Sequence, residues 1–447
     1  MTKKIALISL GCARNLVDSE VILGTLKKSG YKITDSPSGA DIAIVNTCSF
    51  VEDAKKESIE TILDLIELKG RKKLKGIIVA GCLSQRYGQE LAVELAEVDG
   101  FVGVDAAERL PSLIKSLALG RKSDIILREP RYLYNDRSPR LSLTPKHYAY
   151  VKISEGCSHR CSFCIIPAIR GPHRSRTAGS VLNEARCLIA KGVKEINIIG
   201  QDTSIYGKDI YGRYSLASLL RKLSRLQGAN WIRLLYGHPE HITDELISVI
   251  SEEAHICKYI DIPVQHISGK ILKAMGRNPS GTQVRDLIHK LRKRIPGVAL
   301  RTSLIVGFPG EGEREFGELR DFVKEAGFER LGAFRYSAEE GTAAAKLKGQ
   351  VPEKTKASRW NEIMRIQQGI SEKMNRSIIG NELDILIDEP DPADKGVFLG
   401  RSYMDAPEID GTVFVRGTGI KAGDMVRVRV VDGYEYDLVA EKLQRRQ

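Results

Sequence analysis

The chain has 447 residues, enough for about three domains at roughly 150 residues each. Hydrophobic residues at 42% and charged residues at 28% are a normal globular balance, which excludes wholesale disorder and a disulfide mini-scaffold. Lys and Arg outnumber Asp and Glu by 69 to 57, a formal +12 that points first towards an acidic partner such as a nucleic acid.

No stretch reaches the roughly 18 apolar residues that a membrane span requires. The apolar segment after Met1-Thr-Lys-Lys4 is too short for a signal core and runs straight into a patterned domain, so a cytoplasmic location is expected. Eight cysteines are few for a secreted scaffold, and clustered cysteines in a reducing compartment more often bind metal than pair.

In chain order, apolar runs at 5–10, 42–45 and 77–80 are each followed by a helical pattern, at 15–29, 51–69 and 86–97. Strands alternating with helices predict a parallel α/β sheet. Each run ends in a cysteine, at Cys12, Cys48 and Cys82, with spacings of 36 and 34 residues. Ligands of open α/β sheets sit outside the carboxyl ends of the strands, so these three thiols should converge on one edge. Three ordinary core cysteines are the alternative, and it leaves their common stopping point unexplained. Residues 106–145 read as a helix and a Pro- and Arg-rich connector.

A second series begins at Tyr148, with strands predicted at 149–153, 195–199, 232–235, 259–262, 298–306 and 331–336 and helices between them at 180–191, 216–226, 243–253, 281–294 and 313–326. Six βα units in about 200 residues predict a barrel or an open partial barrel, with functional groups at the strand carboxyl ends. Those ends carry Cys157, Gly200-Gln201-Asp202, Gly237-His238, Gln265-His266, residues 307–311 and Ser337. A long helix at 353–375 follows, and then short strands at 382–387, 397–401, 412–415, 425–431 and 436–440, the pattern of a small closed β-barrel of the OB type. The expected domains are therefore 1–120, a linker at 121–145, 146–376 and 377–447.

The most informative segment is Ser154-Glu-Gly-Cys157-Ser-His-Arg-Cys161-Ser-Phe-Cys164. Three thiolates on one loop suit three corners of a [4Fe–4S] cluster and leave the fourth iron open, whereas structural zinc takes four ligands. His159 inside the loop keeps a zinc reading available. With Phe163 before its last cysteine, the loop resembles the signature of the radical S-adenosylmethionine (SAM) superfamily, whose fold is a partial (βα)6 barrel. That resemblance implies a cluster on Cys157, Cys161 and Cys164 whose open iron binds SAM. It also implies SAM contacts at Phe163, Gln201, Asp202 and Gln265, and at Gly307, Gly310 and Glu311 of the fifth-strand segment.

Together with the three N-terminal cysteines and a TRAM-like C-terminal β-barrel, the whole chain resembles the methylthiotransferases, which replace an unactivated C–H with C–S–CH3. The resemblance implies two [4Fe–4S] clusters, the second on Cys12, Cys48 and Cys82 and holding the incoming sulfur, and two uses of SAM, as methyl donor and radical source. Four segments resemble the ribosomal-protein branch, RimO. They are Gly11-Cys-Ala-Arg-Asn-Leu-Val-Asp-Ser-Glu20, Gln201-Asp-Thr-Ser-Ile-Tyr-Gly207, Asp261-Ile-Pro-Val-Gln-His266 and Asp405-Ala-Pro-Glu-Ile-Asp-Gly411. Ala13 departs from the proline typical there. The implied substrate is an aspartate β-carbon of small-subunit ribosomal protein twelve, free or within the assembled subunit. An electron donor protein and a sulfur donor complete the implied partners. The alternative branch modifies tRNA adenosine.

Charge separates the branches independently. Residues 377–447 hold nine basic and fourteen acidic side chains, a net of −5 that leaves +17 for the rest. An RNA-gripping module should be basic, so an acidic one suits a basic protein; a solvated acidic surface without a partner is the plain alternative. Arg160, Arg170, Arg174 and Arg176 flank the cysteine loop and read either as a carboxylate holder or as a solvent-facing basic loop. His238 and His266 read as hydrogen-bonded filler, and Cys187 and Cys257 as structural. Outside this enzyme class stand an iron–sulfur electron carrier and a zinc-stabilised binding protein.

Overall fold

The computed structural model describes residues 3–119 and 125–443. The first sheet comprises β1 (Lys4–Ser9), β2 (Lys32–Ile33), β3 (Ile42–Thr47), β4 (Gly76–Gly81), β5 (Gly100–Val102) and β6 (Ile125–Ile126). They lie in the order β2-β1-β3-β4-β5-β6, all parallel. Every residue of β3 and β4 is buried, as a parallel sheet covered by helices on both faces demands. The three cysteine-ended runs are thus the adjacent strands β1, β3 and β4. The added strands β2 and β6 have two residues each and β5 three, too few for a periodicity to register. β6 draws part of the expected linker into this sheet, and the expected boundary at 120/121 lies outside the described residues.

Next come β7 (Tyr148–Lys152), the short ribbon strands β8 (Ser154–Glu155) and β9 (Arg174–Ser175), then β10 (Glu195–Ile199), β11 (Trp231–Leu234), β12 (Ile256–Asp261), β13 (Ala299–Val306) and β14 (Arg330–Arg335). The second sheet runs β7-β10-β11-β12-β13-β14, all parallel, and stays open between β14 and β7. Helices Ala178–Ala190, Asp244–Glu252 and Gly281–Arg294 begin on Thr177, Thr243 and Ser280, whose hydroxyls accept from the orphan N–H groups of the first turn. Their apolar faces pack on the strands around Val181, Leu246, Ile250, Val284 and Leu291.

The helix Glu353–Ser377 leads into β15 (Glu382–Pro390), β16 (Val397–Arg401), β17 (Val413–Arg416), β18 (Met425–Gly433) and β19 (Leu438–Lys442). These close into a barrel in the order β15-β16-β17-β19-β18, filled by alternate residues such as Ile385, Ile387, Val413, Val415, Val426 and Val428. Its segment 401–410 plugs the second sheet near the amino ends of the strands. Buried Glu195 accepts from Arg233 Nε at 2.8 Å and Arg401 Nη1 at 2.6 Å. Arg330 Nε donates to Asp405 at 2.8 Å, Tyr259 Oη to Asp410 at 2.7 Å and Tyr148 Oη to Glu408 at 2.8 Å.

Removing one partner from a buried ion pair strands the other charge, at a cost of about 3–5 kcal/mol. Arg401→Met should therefore lower the melting temperature and open the chain to limited proteolysis between Ser377 and Glu382. Unchanged melting and digestion would show that this contact does not anchor the barrel.

Candidate active site

Backbone geometry at the carboxyl edge of the first sheet brings its cysteines together. Gly11 has φ +85°, and a Cβ there would lie 2.5 Å from Cys48 Cβ; Gly81 has φ +92°, and its Cβ would meet Asn46 Oδ1 at 2.4 Å. Only glycine tolerates both the left-handed backbone and the close approach. Side chains tie the strand ends: Asn46 Nδ2 donates to the Asn15 carbonyl at 3.0 Å, Thr47 Oγ1 to the Ala80 carbonyl at 2.6 Å, and Ser58 Oγ to the Cys48 carbonyl at 3.0 Å. Cys48 and Cys82 are buried and Cys12 half-buried. Burial pushes the Cys48 thiol up to about 11, with Cys82 and Cys12 adding to it. Burial also raises Cys12, but Arg14 and Arg170 outweigh it and leave that thiol below its ordinary value.

The second triplet follows β8 on the barrel side, with all three thiols half-buried. Cys157 N–H donates to the Gly171 carbonyl at 3.0 Å, and Cys164 N–H to the Cys161 carbonyl at 3.1 Å. Burial raises Cys157 to about 11 and Cys164 to about 12. Phe163 packs towards Ile271, Met275, Phe308 and Tyr336.

Thiolates around one tetrahedral zinc lie about 3.8 Å apart, given Zn–S of about 2.3 Å. Among the described residues, neither cysteine triplet gathers its sulfurs within 4.8 Å; the group that does is His159, His238 and His241. The His159 and His238 rings are stacked, with centroids 4.2 Å apart, and His159 Nε2 and His241 Nδ1 contact Asp202 Oδ2 at 2.6 and 3.4 Å, so a carboxylate already occupies those ring nitrogens. Burial, with Arg277 and His159 adding to it, lowers His238 to about 2 and keeps it neutral.

The other strand-end residues divide into accessible and braced groups. Buried Asp202 is held ionised, since its bonds to His159, His241 and Ser204 overcome its burial. Gln201 Nε2 donates to Glu155 at 2.7 Å, while its buried Oε1 has no partner. Gln265 takes φ +68°, a strained value for a side chain of its size, and its carbonyl accepts from Ile305 N–H at 2.8 Å. Gly307 (φ +71°) and Gly310 (φ +84°) form the turn after β13. Glu311 is enclosed beneath that turn, accepting from Gly307 N–H at 2.9 Å and Arg359 Nη1 at 2.8 Å, with His266 Nε2 at 3.2 Å. It braces the turn from below.

The arginines around the loop are not a free carboxylate holder. Arg176 pairs with Glu184, Arg174 donates to the Arg170 and Pro172 carbonyls, and Arg160 is exposed. Arg170, immediately after the loop, is buried and crosses to the N-terminal domain. Its Nη1 reaches Asp18 at 2.9 Å and Glu155 at 3.0 Å, and its Nη2 lies 3.4 Å from Cys82 Sγ. Lys152 closes the same circuit on Asp18 and Glu155. Sequence spacing pointed to none of Arg14, Asp18, Lys152 or Glu155, because their role lies in contacts across the domain interface. Arg14 had one local signal, its place two residues after Cys12.

Comparisons with known proteins agree with this architecture. Residues 4–103 match "Uncharacterized protein family UPF0004", residues 151–323 the radical SAM superfamily, and residues 379–442 the TRAM domain. The chain is 48% identical to the "Ribosomal protein uS12 methylthiotransferase RimO" of Geotalea uraniireducens, over 98% of each chain. Proteins of the same name from Citrifermentans bemidjiense and Desulforamulus reducens are 46% and 47% identical over 98% of this chain. The chain belongs to the RimO methylthiotransferase family. As such it uses SAM and two [4Fe–4S] clusters. Among solved structures, the radical SAM methyltransferase TsrM from Kitasatospora setae shares the fold, with a TM-score of 0.55 and 16% identity over 75% of this chain and 72% of that one.

The interface circuit yields a direct test. Lys152→Met removes one of two cations facing half-buried Asp18 and buried Glu155, and should destabilise the protein by about 3–5 kcal/mol. A double-mutant cycle with Asp18→Asn, followed by thermal melting, should return a coupling of about 0.5–3 kcal/mol. Additive effects would mean that the pair does not join the domains.

Proposed function

We propose that this protein adds a methylthio group to the β-carbon of an aspartate of ribosomal protein uS12. In this reading Cys157, Cys161 and Cys164 hold the SAM-cleaving cluster, and Cys12, Cys48 and Cys82 hold the sulfur-bearing one. The observation that carries it is the facing of two three-thiol sets across one domain interface, each set leaving a cluster one corner short of protein ligands. Bound there, the clusters and SAM supply homolytic C–H cleavage and sulfur, chemistry that no side chain offers.

The chain's own residues bind and orient. Asp202, held ionised, suits the ammonium of SAM, and the unpartnered Gln201 Oε1 can accept a second donor. The turn at Gly307 and Gly310 lets backbone approach the ligand, with Phe163 as an apolar wall. Homolytic abstraction needs no general base, which agrees with His238 being neutral and engaged with the Glu240 N–H.

The acidic C-terminal module favours a basic protein over RNA, with one refinement. Asp388, Asp405 and Asp410 are engaged inside the molecule, whereas Glu389, Asp394, Asp432 and Glu441 remain exposed to meet a partner. A one-electron donor and a sulfur donor complete the reaction, and uS12 is met free or in the assembled subunit, in the cytoplasm. Among the described residues no helix is long and apolar enough to cross a membrane.

Purified, cluster-loaded protein supplied with uS12 or with tRNA should modify uS12 alone, seen as an added methylthio mass on an aspartate. Modified tRNA adenosine instead would overturn the substrate. Cys161→Ala should abolish 5′-deoxyadenosine formation, whereas Cys48→Ala should retain much of it and block sulfur insertion. Undiminished SAM cleavage in Cys161→Ala would refute the cluster assignment.

A further inference from the structure

Of the cations near the two thiol sets, most are closed off by the protein. Arg170 and Lys152 are buried against Asp18 and Glu155. Arg277 is also buried, with Nη2 on the Pro263 carbonyl at 2.6 Å and Nη1 3.9 Å from Cys161 Sγ. Arg14 differs. It is half-buried at the start of the helix Ala13–Lys28, and its Nη1 crosses the interface to the Gly200 carbonyl at 2.9 Å, beside Gln201 and Asp202. Among the described residues no protein oxygen accepts from its Nε or Nη2. Its charge acts on Cys12, two residues before it, and its Gly200 contact puts the guanidinium at the interface with the barrel side.

A second observation shows that this position is built. The Arg14 guanidinium lies 4.5 Å from the centroid of the Tyr236 ring. Tyr236 follows β11 with φ +61°, a backbone conformation that aromatic residues rarely adopt. Its N–H donates to Asp261 Oδ2 at 3.0 Å and its carbonyl accepts from Thr203 N–H at 3.0 Å, so the strained turn is pinned at both ends. Strain retained beside a charged group whose remaining nitrogens meet no protein oxygen marks a prepared ligand position.

We infer that Arg14 grips the carboxylate of the substrate aspartate and thereby fixes the adjacent β-carbon between the two thiol sets. The inference rests on the aspartate reading above and names the group that recognises it. The carboxylate is one bond from the reacting carbon, so a two-point guanidinium contact restricts that carbon directly. The Gly200 bond and the Tyr236 ring hold the guanidinium plane, and the nitrogens that meet no protein oxygen are left to donate to the carboxylate. Arg14 is on this account a positioning residue that also selects a carboxylate side chain over a neutral one.

The test uses full-length, cluster-loaded protein and a uS12 peptide containing the target aspartate, beside the same peptide with asparagine there. Binding read by fluorescence anisotropy should favour the aspartate peptide by about tenfold or more in the wild type, as a charge-assisted pair implies. Arg14→Met should bind both peptides alike, and Arg14→Lys, which keeps the charge without the guanidinium, should fall between. With the aspartate peptide, Arg14→Met should raise KM by a similar factor. Iron and sulfide content reports cluster loading. Should Arg14→Met load poorly, Arg14→Gln, which keeps a donor for the Gly200 carbonyl, gives the same comparison. An undiminished aspartate preference in the neutral variants overturns the inference, as does weakened SAM binding with peptide preference intact. A wild type that modifies no uS12 overturns the aspartate reading itself, an outcome distinct from either.

Discussion

Everything at the active site depends on one largely buried circuit of charge, Asp18–Lys152–Glu155–Arg170. Desolvating four ionised groups costs several kcal/mol each unless every charge meets its opposite at close range. Here two cations face two carboxylates, and Arg170 Nη1 spans Asp18 and Glu155 at 2.9 and 3.0 Å. Asp18 comes from the N-terminal domain and the other three from the barrel side, so neither domain can slide without stranding a charge. Burial alone would raise Glu155, yet Lys152 and Arg170 hold it well below the usual carboxylate range. Because Arg170 also lies 3.4 Å from Cys82 Sγ, the circuit that joins the domains also fixes how the two thiol sets face one another. Chemistry between two centres needs placement to within about 0.5 Å, which loops on independently moving domains would not give.

The opposite end of the barrel uses the same physics for a different purpose. Arg233, Arg301 and Arg330 project from strands that in a closed barrel would be filled by apolar layers. Here they receive the Glu195, Asp405 and Asp410 carboxylates and the Ser402 and Tyr403 carbonyls. The C-terminal barrel therefore stoppers the amino end of the sheet while the cysteines occupy the carboxyl end. Substrate contacts by that module must come from its outer surface.

The sequence carried most of the framework because its signals were local. Helices Gly281–Arg294 and Glu313–Ala326 match their predicted bounds, since capping residues and apolar spacing sit within one segment. The glycine before Cys12 and the one before Cys82 are likewise readable, because a strand ending in Gly-Cys implies a turn that carries the thiol. What stayed hidden involves partners far apart in the chain. Glu311 looked like a ligand from its place in the fifth-strand segment, and only the fold shows Arg359 and Gly307 enclosing it. Arg170 looked like a free cation for the same reason, although Asp18 lies 152 residues away.

The charge balance shows why such contacts matter for function. A net of +12 points towards nucleic acid only if the cations face solvent. Arg170, Arg176, Arg233, Arg330, Arg359 and Arg401 are all buried against carboxylates, so these six of the 69 basic residues serve the fold rather than a partner. The same holds for the acidic run Asp405-Ala-Pro-Glu-Ile-Asp-Gly411. It resembles the ribosomal-protein branch, yet its carboxylates stabilise the barrel stopper rather than meet substrate. A branch marker that is structural cannot itself recognise an aspartate. Recognition calls for a charge that the fold leaves short of oxygen acceptors at the carboxyl end, and Arg14, held over the Tyr236 ring, meets that requirement.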